Sequence, residues 1–230
     1  MKLINEVPCD IEFFKETKDK KIQYWTEDQL IYFLEQIKDT YLYFPVLLAA
    51  FTGMRIGELC GLRYKNVDLN NLRIKVCEQT LNDKLNKTLI HTDILKTSKS
   101  NREITIPRFL AKAIEERKHD NDFVVVNREG EMCNPRNLSM DFTKKVSKYS
   151  ELKADNSPEG YIQLPKISFH DLRHTHATIL LLHGENIKVI SQRLGHESVK
   201  ITLDTYSHVL PAMEEHTSLM LESIFKDKIK

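Results

Sequence analysis

The sequence predicts an α+β domain, mainly α-helical, with a small antiparallel sheet at one edge. Three observations carry that expectation. Apolar residues recur at helical spacing over most of the chain. One stretch, from about Leu72 to Ile106, changes to the alternating pattern of strands. Gly and Pro punctuate the boundaries between these segments.

Residues 1–24 are mixed and charged, with a basic run at Lys18, Lys20 and Lys21, and read as a linker or the remnant of an interdomain arm. Thr26 then opens a helix. It has Gln29 three residues on, the pattern of a capping box. Leu30, Phe33, Leu34 and Ile37 form its apolar stripe. Tyr41 to Phe51 reads as a fully buried helix, Thr52 and Gly53 interrupt it, and a new helix runs through Arg55 to about Leu62.

Leu72, Ile74 and Val76 alternate with Arg73, Lys75 and Cys77, which predicts a strand. Leu89–Leu95 reads as a second strand and Glu103–Ile106 as a third, with Ile104 and Ile106 on one face. The polar stretch Lys96 to Asn101 is then the hairpin between the last two. Helices are expected at 108–118, 136–149, 170–183, 187–194, 198–208 and 211–225. Gly184 separates two of them, Gly195 is placed as a C-cap, and Pro211 sits where the last helix can start. The divisions expected are 1–24 as linker, 25–210 as the main domain and 211–230 as a C-terminal helix.

Hydrophobic residues make up 41% and charged residues 29% of the 230 positions, so a disordered or fibrous protein is excluded. Net charge is only +1, which does not announce a nucleic-acid binder. A neutral total can still hide a basic face opposite an acidic one. Cys9, Cys60, Cys77 and Cys133 are far apart, with no metal-knuckle or disulfide spacing. They read as reduced thiols of a cytoplasmic protein. No apolar run is long enough to span a bilayer, and no membrane association is expected.

Several polar residues fall where chemistry is plausible. His170 and Arg173 are three apart in a helical segment and share a face, opposite an apolar stripe of Leu172, His176, Ile179 and Leu180. Alone, that pair reads as a surface ion pair. Arg55 and Glu58 repeat the arrangement, and the carboxylate can hold the guanidinium in one orientation. Lys96, Lys99 and Arg102 put three cations among small polar residues, which suits phosphates as well as a soluble hairpin tip. His196 follows Leu194 and Gly195, and Tyr206 lies ten residues further on. His170 and His174 have a spacing compatible with a metal. No Glu beside the first His and no Cys or carboxylate cluster completes a shell, so no metal is expected.

The order of these segments is specific where each alone is not. Thr52 to Leu62 resembles the first arginine box of the tyrosine recombinase, or phage integrase, family. Leu95 to Arg102 resembles that family's lysine hairpin, and His170 to Thr178 its His-x-x-Arg box. Leu194 to His196 resembles the third box, and Thr202 to His208 the nucleophile segment. The match runs from about Thr26 to His208 and looks closest to the integrases of phages and conjugative transposons of Gram-positive type. Family members usually carry an N-terminal DNA-binding domain. This chain starts at what resembles the interdomain linker, so it is expected to be an excised domain or the product of a truncated gene.

The resemblance implies the tyrosine recombinase catalytic fold and a site-specific recombinase. Tyr206 would attack a DNA phosphodiester and form a 3′-phosphotyrosyl bond. Arg55 and Arg173 would grip the non-bridging oxygens by forked hydrogen bonds, with His196 a third donor. Donors of this kind contribute roughly 3–4 kcal/mol each, judged from oxyanion holes. Glu58 would support Arg55, His170 would be the base, and Lys96 would protonate the departing 5′ oxygen. Lys99 and Arg102 would contact DNA. Neither ATP nor a metal is implied, since the ester is conserved through the step, and no cofactor is expected.

Expected partners are double-stranded DNA recombination sites, three further copies of the chain in a tetramer on DNA (a monomer when free), and accessory directionality or DNA-bending factors. The segment 211–230 is expected to pack on a neighbouring subunit. Other readings remain: a type IB topoisomerase-like nicking-closing enzyme, or a non-catalytic helix-turn-helix protein built on 170–194.

Overall fold

The computed structural model describes residues 22–83, 86, 88–95, 100–151 and 160–226. Lys96 and Lys99, and most of the expected linker at 1–24, lie outside the described residues.

Helix α1 spans Glu27–Ile37. The Thr26 hydroxyl accepts from the Gln29 amide, and the Gln29 side chain accepts from the Thr26 amide, so the predicted capping box forms. Its stripe of Leu30, Phe33, Leu34 and Ile37 is buried. Helix α2, Tyr43–Thr52, is apolar on almost every side and runs through the centre of the molecule. It ends at Gly53, whose left-handed φ of 66° lets the chain reverse. Helix α3 is shorter than expected, Ile56–Cys60, with Arg55 at its N-cap.

Among the described residues five short strands follow: β1 (Val67–Asp68), β2 (Arg73–Val76), β3 (Gln79–Asn82), β4 (Leu89–Thr92) and β5 (Arg102–Thr105). They form two antiparallel sheets rather than one. β1, β2 and β5 make the first in that order, and β3 with β4 makes the second. The expected hairpin joining β4 to β5 is therefore corrected: β5 pairs with β2, Ile74 opposite Ile104, while β4 pairs with β3. Ile74, Val76 and Ile104 turn into the core from one face, as period 2 requires. Leu72 is not in the strand. It sits in the preceding turn with φ 54°.

Helices α4 (Arg108–Glu116), α5 (Pro135–Ser150), α6 (Asp171–Leu182), α7 (Ile187–Leu194), α8 (Val199–Tyr206) and α9 (Leu210–Phe225) complete the described chain. Each lies within a few residues of its predicted span. The main core joins α1, α2, α5 and the first sheet. At its centre Trp25, Phe33 and Phe142 meet edge to face or tilted, with centroids 4.7–6.0 Å apart.

A second, smaller cluster packs Ala177, Leu181, Ile190, Leu194, Tyr206 and Val209 between α6, α7 and α8. Burial of these side chains is what holds the tyrosine-bearing helix against α6. Gly61 lets the second sheet approach α3. A Cβ there would lie 2.6 Å from the Gln79 backbone.

Candidate active site

The chain turns sharply at Gly53, and the turn presents two groups. The Gly53 carbonyl accepts from Arg173 Nη1 at 2.8 Å. Two residues later Arg55 caps α3. Its amide donates to Glu58 Oε2 at 2.9 Å, and its Nη1 donates to Glu58 Oε1 at 2.8 Å. Arg55 Nη2 also reaches the carbonyl of Gly195 at 3.3 Å, beside His196. The first arginine box, the helix of the second arginine and the third box are thus tied within one network.

Arg173 is 4% exposed. Its Nη2 is buried without a hydrogen-bond partner among the described residues. A buried guanidinium donor left unsatisfied is rare unless something else is meant to fill it. Burial, then the charge of Arg55, press its pKa down to about 9, so it remains charged at neutral pH.

Arg102, expected among the DNA-contacting residues, turns inward. Its side chain is 6% exposed. Both terminal nitrogens donate to Glu58, at 3.2 and 2.9 Å, and Nε donates to the Arg193 carbonyl at 2.7 Å. Strand alternation accounts for this: Arg102 shares the core-facing side with Ile104. Glu58 is 2% exposed. Burial alone would raise its pKa, but Arg102 and then Arg55 overcome that and lower it. Three guanidiniums against this one carboxylate leave the pocket with two net positive charges.

Tyr206 is 2% exposed and closes the far wall from the end of α8. Burial pushes its pKa far above the usual phenol value, opposed by the nearby Arg173 charge. Its hydroxyl lies 3.0 Å from His174 Nδ1. His170, the expected base, stands one ring behind, its centroid 5.3 Å from that of His174. It keeps an exposed edge, yet desolvation and then Arg173 lower its pKa.

His196 is half-buried, with Nδ1 at 2.8 Å from Thr202 Oγ1. Desolvation, then Arg173 and Arg55, drop its pKa to about 4, so it is neutral at pH 7. The Thr202 hydroxyl can give or take this hydrogen bond, and when it donates, the neutral ring carries its proton on Nε2 as a free donor.

The structure therefore brings Arg55, Glu58, Arg173, His196 and Tyr206 together and sets His170 at the rim. Two participants are not assigned from sequence. His174 was read only as a failed metal ligand, although it follows Arg173 directly. Arg193 donates to His176 Nε2, the Thr105 carbonyl and the Phe51 carbonyl, each at 2.9 Å. It pins α7 to the end of α2. His176 in turn donates Nδ1–H to the Ala50 carbonyl at 2.8 Å. No local pattern signals these contacts, which join residues 17 to 142 positions apart.

A cationic pocket with unfilled guanidinium capacity and a phenol on its wall defines a class: a domain with an anion-holding site beside a tyrosine. The chain belongs to the phage integrase family, whose model matches residues 23–213. The integrase of Staphylococcus phage L54a is 32% identical over 78% of this chain and 51% of its own length. The ICEBs1 integrase of Bacillus subtilis is 27% identical over 96% of this chain and 60% of its own. The fold is that of solved tyrosine recombinases. The Tn1549 transposon integrase, solved with a circular intermediate DNA, superposes with a TM-score of 0.71 at 25% identity, over 84% of this chain and 63% of that one. The XerA recombinase superposes at 0.64 and 26% identity, over 86% and 65%. The chain spans roughly half to three-fifths of the length of the curated relatives it matches.

Proposed function

We propose that this chain is the catalytic part of a site-specific DNA recombinase that cleaves and rejoins DNA through a 3′-phosphotyrosyl bond at Tyr206. One observation carries the reading: the Tyr206 hydroxyl is packed into the same pocket as Arg173, whose Nη2 is buried and unfilled. Arg55 and Arg173 hold the two non-bridging oxygens, and the neutral His196 adds a donor. These groups strengthen as charge builds in the pentacoordinate transition state. Lys96, which the motif resemblance assigns as general acid, protonates the 5′ oxygen. The phosphotyrosine keeps the ester, so a 5′ hydroxyl from another strand can reverse the step without ATP.

Residues 25–210 act as the catalytic unit. The substrate is double-stranded DNA at recombination sites, with Lys99 among the cations that contact its backbone, so binding falls with salt. Four copies assemble on two sites from free monomers, with accessory DNA-bending or directionality factors. Helix α9 supports assembly. It exposes Leu219, Met220, Leu221, Ile224 and Phe225, each at least 44% accessible, a face suited to a neighbouring subunit.

The test is a nicked duplex carrying the junction sequences of the element that encodes the chain, incubated in EDTA. A denaturant-resistant protein–DNA adduct is expected. Tyr206→Phe should abolish the adduct and keep DNA binding. Binding without an adduct in the wild-type chain would contradict the reading. Strand exchange between two duplexes then separates a recombinase from a nicking-closing enzyme.

A further inference from the structure

The phenol of Tyr206 must lose its proton as it attacks, and the group that touches it is not the one its motif suggests. We infer that His174 is a catalytic residue for strand cleavage, accepting the Tyr206 proton on Nδ1 as the phenol oxygen attacks phosphorus. This rests on the recombinase reading above.

Geometry comes first. Nδ1 of His174 lies 3.0 Å from Tyr206 Oη, within proton-transfer reach. The two rings meet at 61° with centroids 5.7 Å apart. His170 has no such contact and stands at 83° to the His174 ring. His170, the N-cap of α6 in helical conformation, lies four residues before His174, so they share one face. Arg173 is adjacent in the chain. The proton acceptor and the phosphate-gripping guanidinium therefore ride on the same helical turn, and α6 moves them as a unit. Among the described residues, charged and titratable neighbours of His174 include His170 at the N-cap of α6, Arg173 on α6, His196 beyond α7 and Tyr206 on α8.

The step balances. The Oη–H proton passes to Nδ1 and the Oη–P bond forms. The P–O5′ bond breaks, and the 5′ oxygen leaves with a proton from the general acid. On rejoining, the incoming 5′ hydroxyl returns its proton to the general acid as it attacks phosphorus, the Oη–P bond breaks, and the His174 proton returns to the phenol. His170, edge-on behind it, positions the His174 ring.

Asparagine separates a base from a hydrogen-bond partner. Its Oδ1 falls near the place of Nδ1 and accepts a hydrogen bond, but it takes no proton at neutral pH. Single-turnover adduct formation would be measured on the nicked duplex with the 230-residue chain. His174→Asn and His174→Ala should both slow cleavage by about a hundred-fold or more, within the span of general-base contributions. DNA affinity should be unchanged, and His170→Asn should lose less. An Asn variant that cleaves within a few-fold of wild type overturns the inference, and so does a larger loss in His170→Asn. A second readout needs no DNA. The His174 Nδ1 resonance should shift in Tyr206→Phe, and an unmoved resonance also counts against it. A wild-type chain that binds but forms no adduct defeats the recombinase reading itself, a different outcome from either.

Discussion

Glu58 decides how Arg55 can work. A guanidinium paired with one private carboxylate is held well but nearly neutralised, which weakens its pull on a phosphate. Here Arg102 takes both Glu58 oxygens while Arg55 takes one, so the triad keeps a net positive charge and a fixed geometry. Removing one partner from a buried pair strands the other. Arg102→Met, which retains much of the volume, should lower the unfolding free energy by about 3–5 kcal/mol, read from urea denaturation. It should also slow adduct formation. A loss well under ~1 kcal/mol, the range of exposed pairs, would show that Glu58 is not held as described. The signal for Arg102 was present in the sequence: Ile104 and Ile106 face inward, and Arg102 belongs to the same alternating set. Treating three cations as one polar tip hid it.

Between α2 and α3 the chain is constrained from both sides. Gly53 has φ 66°, and a Cβ there would meet His176 Cδ2 at 2.7 Å and Leu194 Cδ2 at 2.8 Å. Its carbonyl also holds Arg173. Gly53→Ala should therefore lower stability by about 2–3 kcal/mol through left-handed strain and overpacking. Because it moves the Arg173 anchor, the cleavage rate should fall as well. A denaturation midpoint equal to wild type would contradict this account of the turn. Helices were legible from sequence because each buries a stripe that its own residues spell out. The Thr26–Gln29 cap and the Gly195 stop even set two of the boundaries. Strand pairing was not legible. Alternation marks which residues form strands but not which edges meet, so β4 was joined to β5 when each pairs elsewhere.

At the scale of the whole molecule, the site is a meeting of segments that are far apart in sequence. Arg55 comes from the start of α3, Arg173 from α6, His196 from the turn after α7 and Tyr206 from the end of α8. Their identities could be read from motif order, since each motif keeps its local spacing. Their mutual support could not. Arg193 reaching Phe51 and Thr105, and Arg55 reaching Gly195, are set by packing of the two cores. The choice between His170 and His174 likewise depends on where α8 docks, which neither helix encodes alone. The central claim is that these segments converge to make Tyr206 the nucleophile. Protease digestion of the covalent adduct, followed by mass spectrometry of the nucleotide-bearing peptide, tests it most directly. The account predicts a 3′-phosphonucleotide on Tyr206 alone. A nucleotide on any other side chain, or an adduct that survives in Tyr206→Phe, would contradict it.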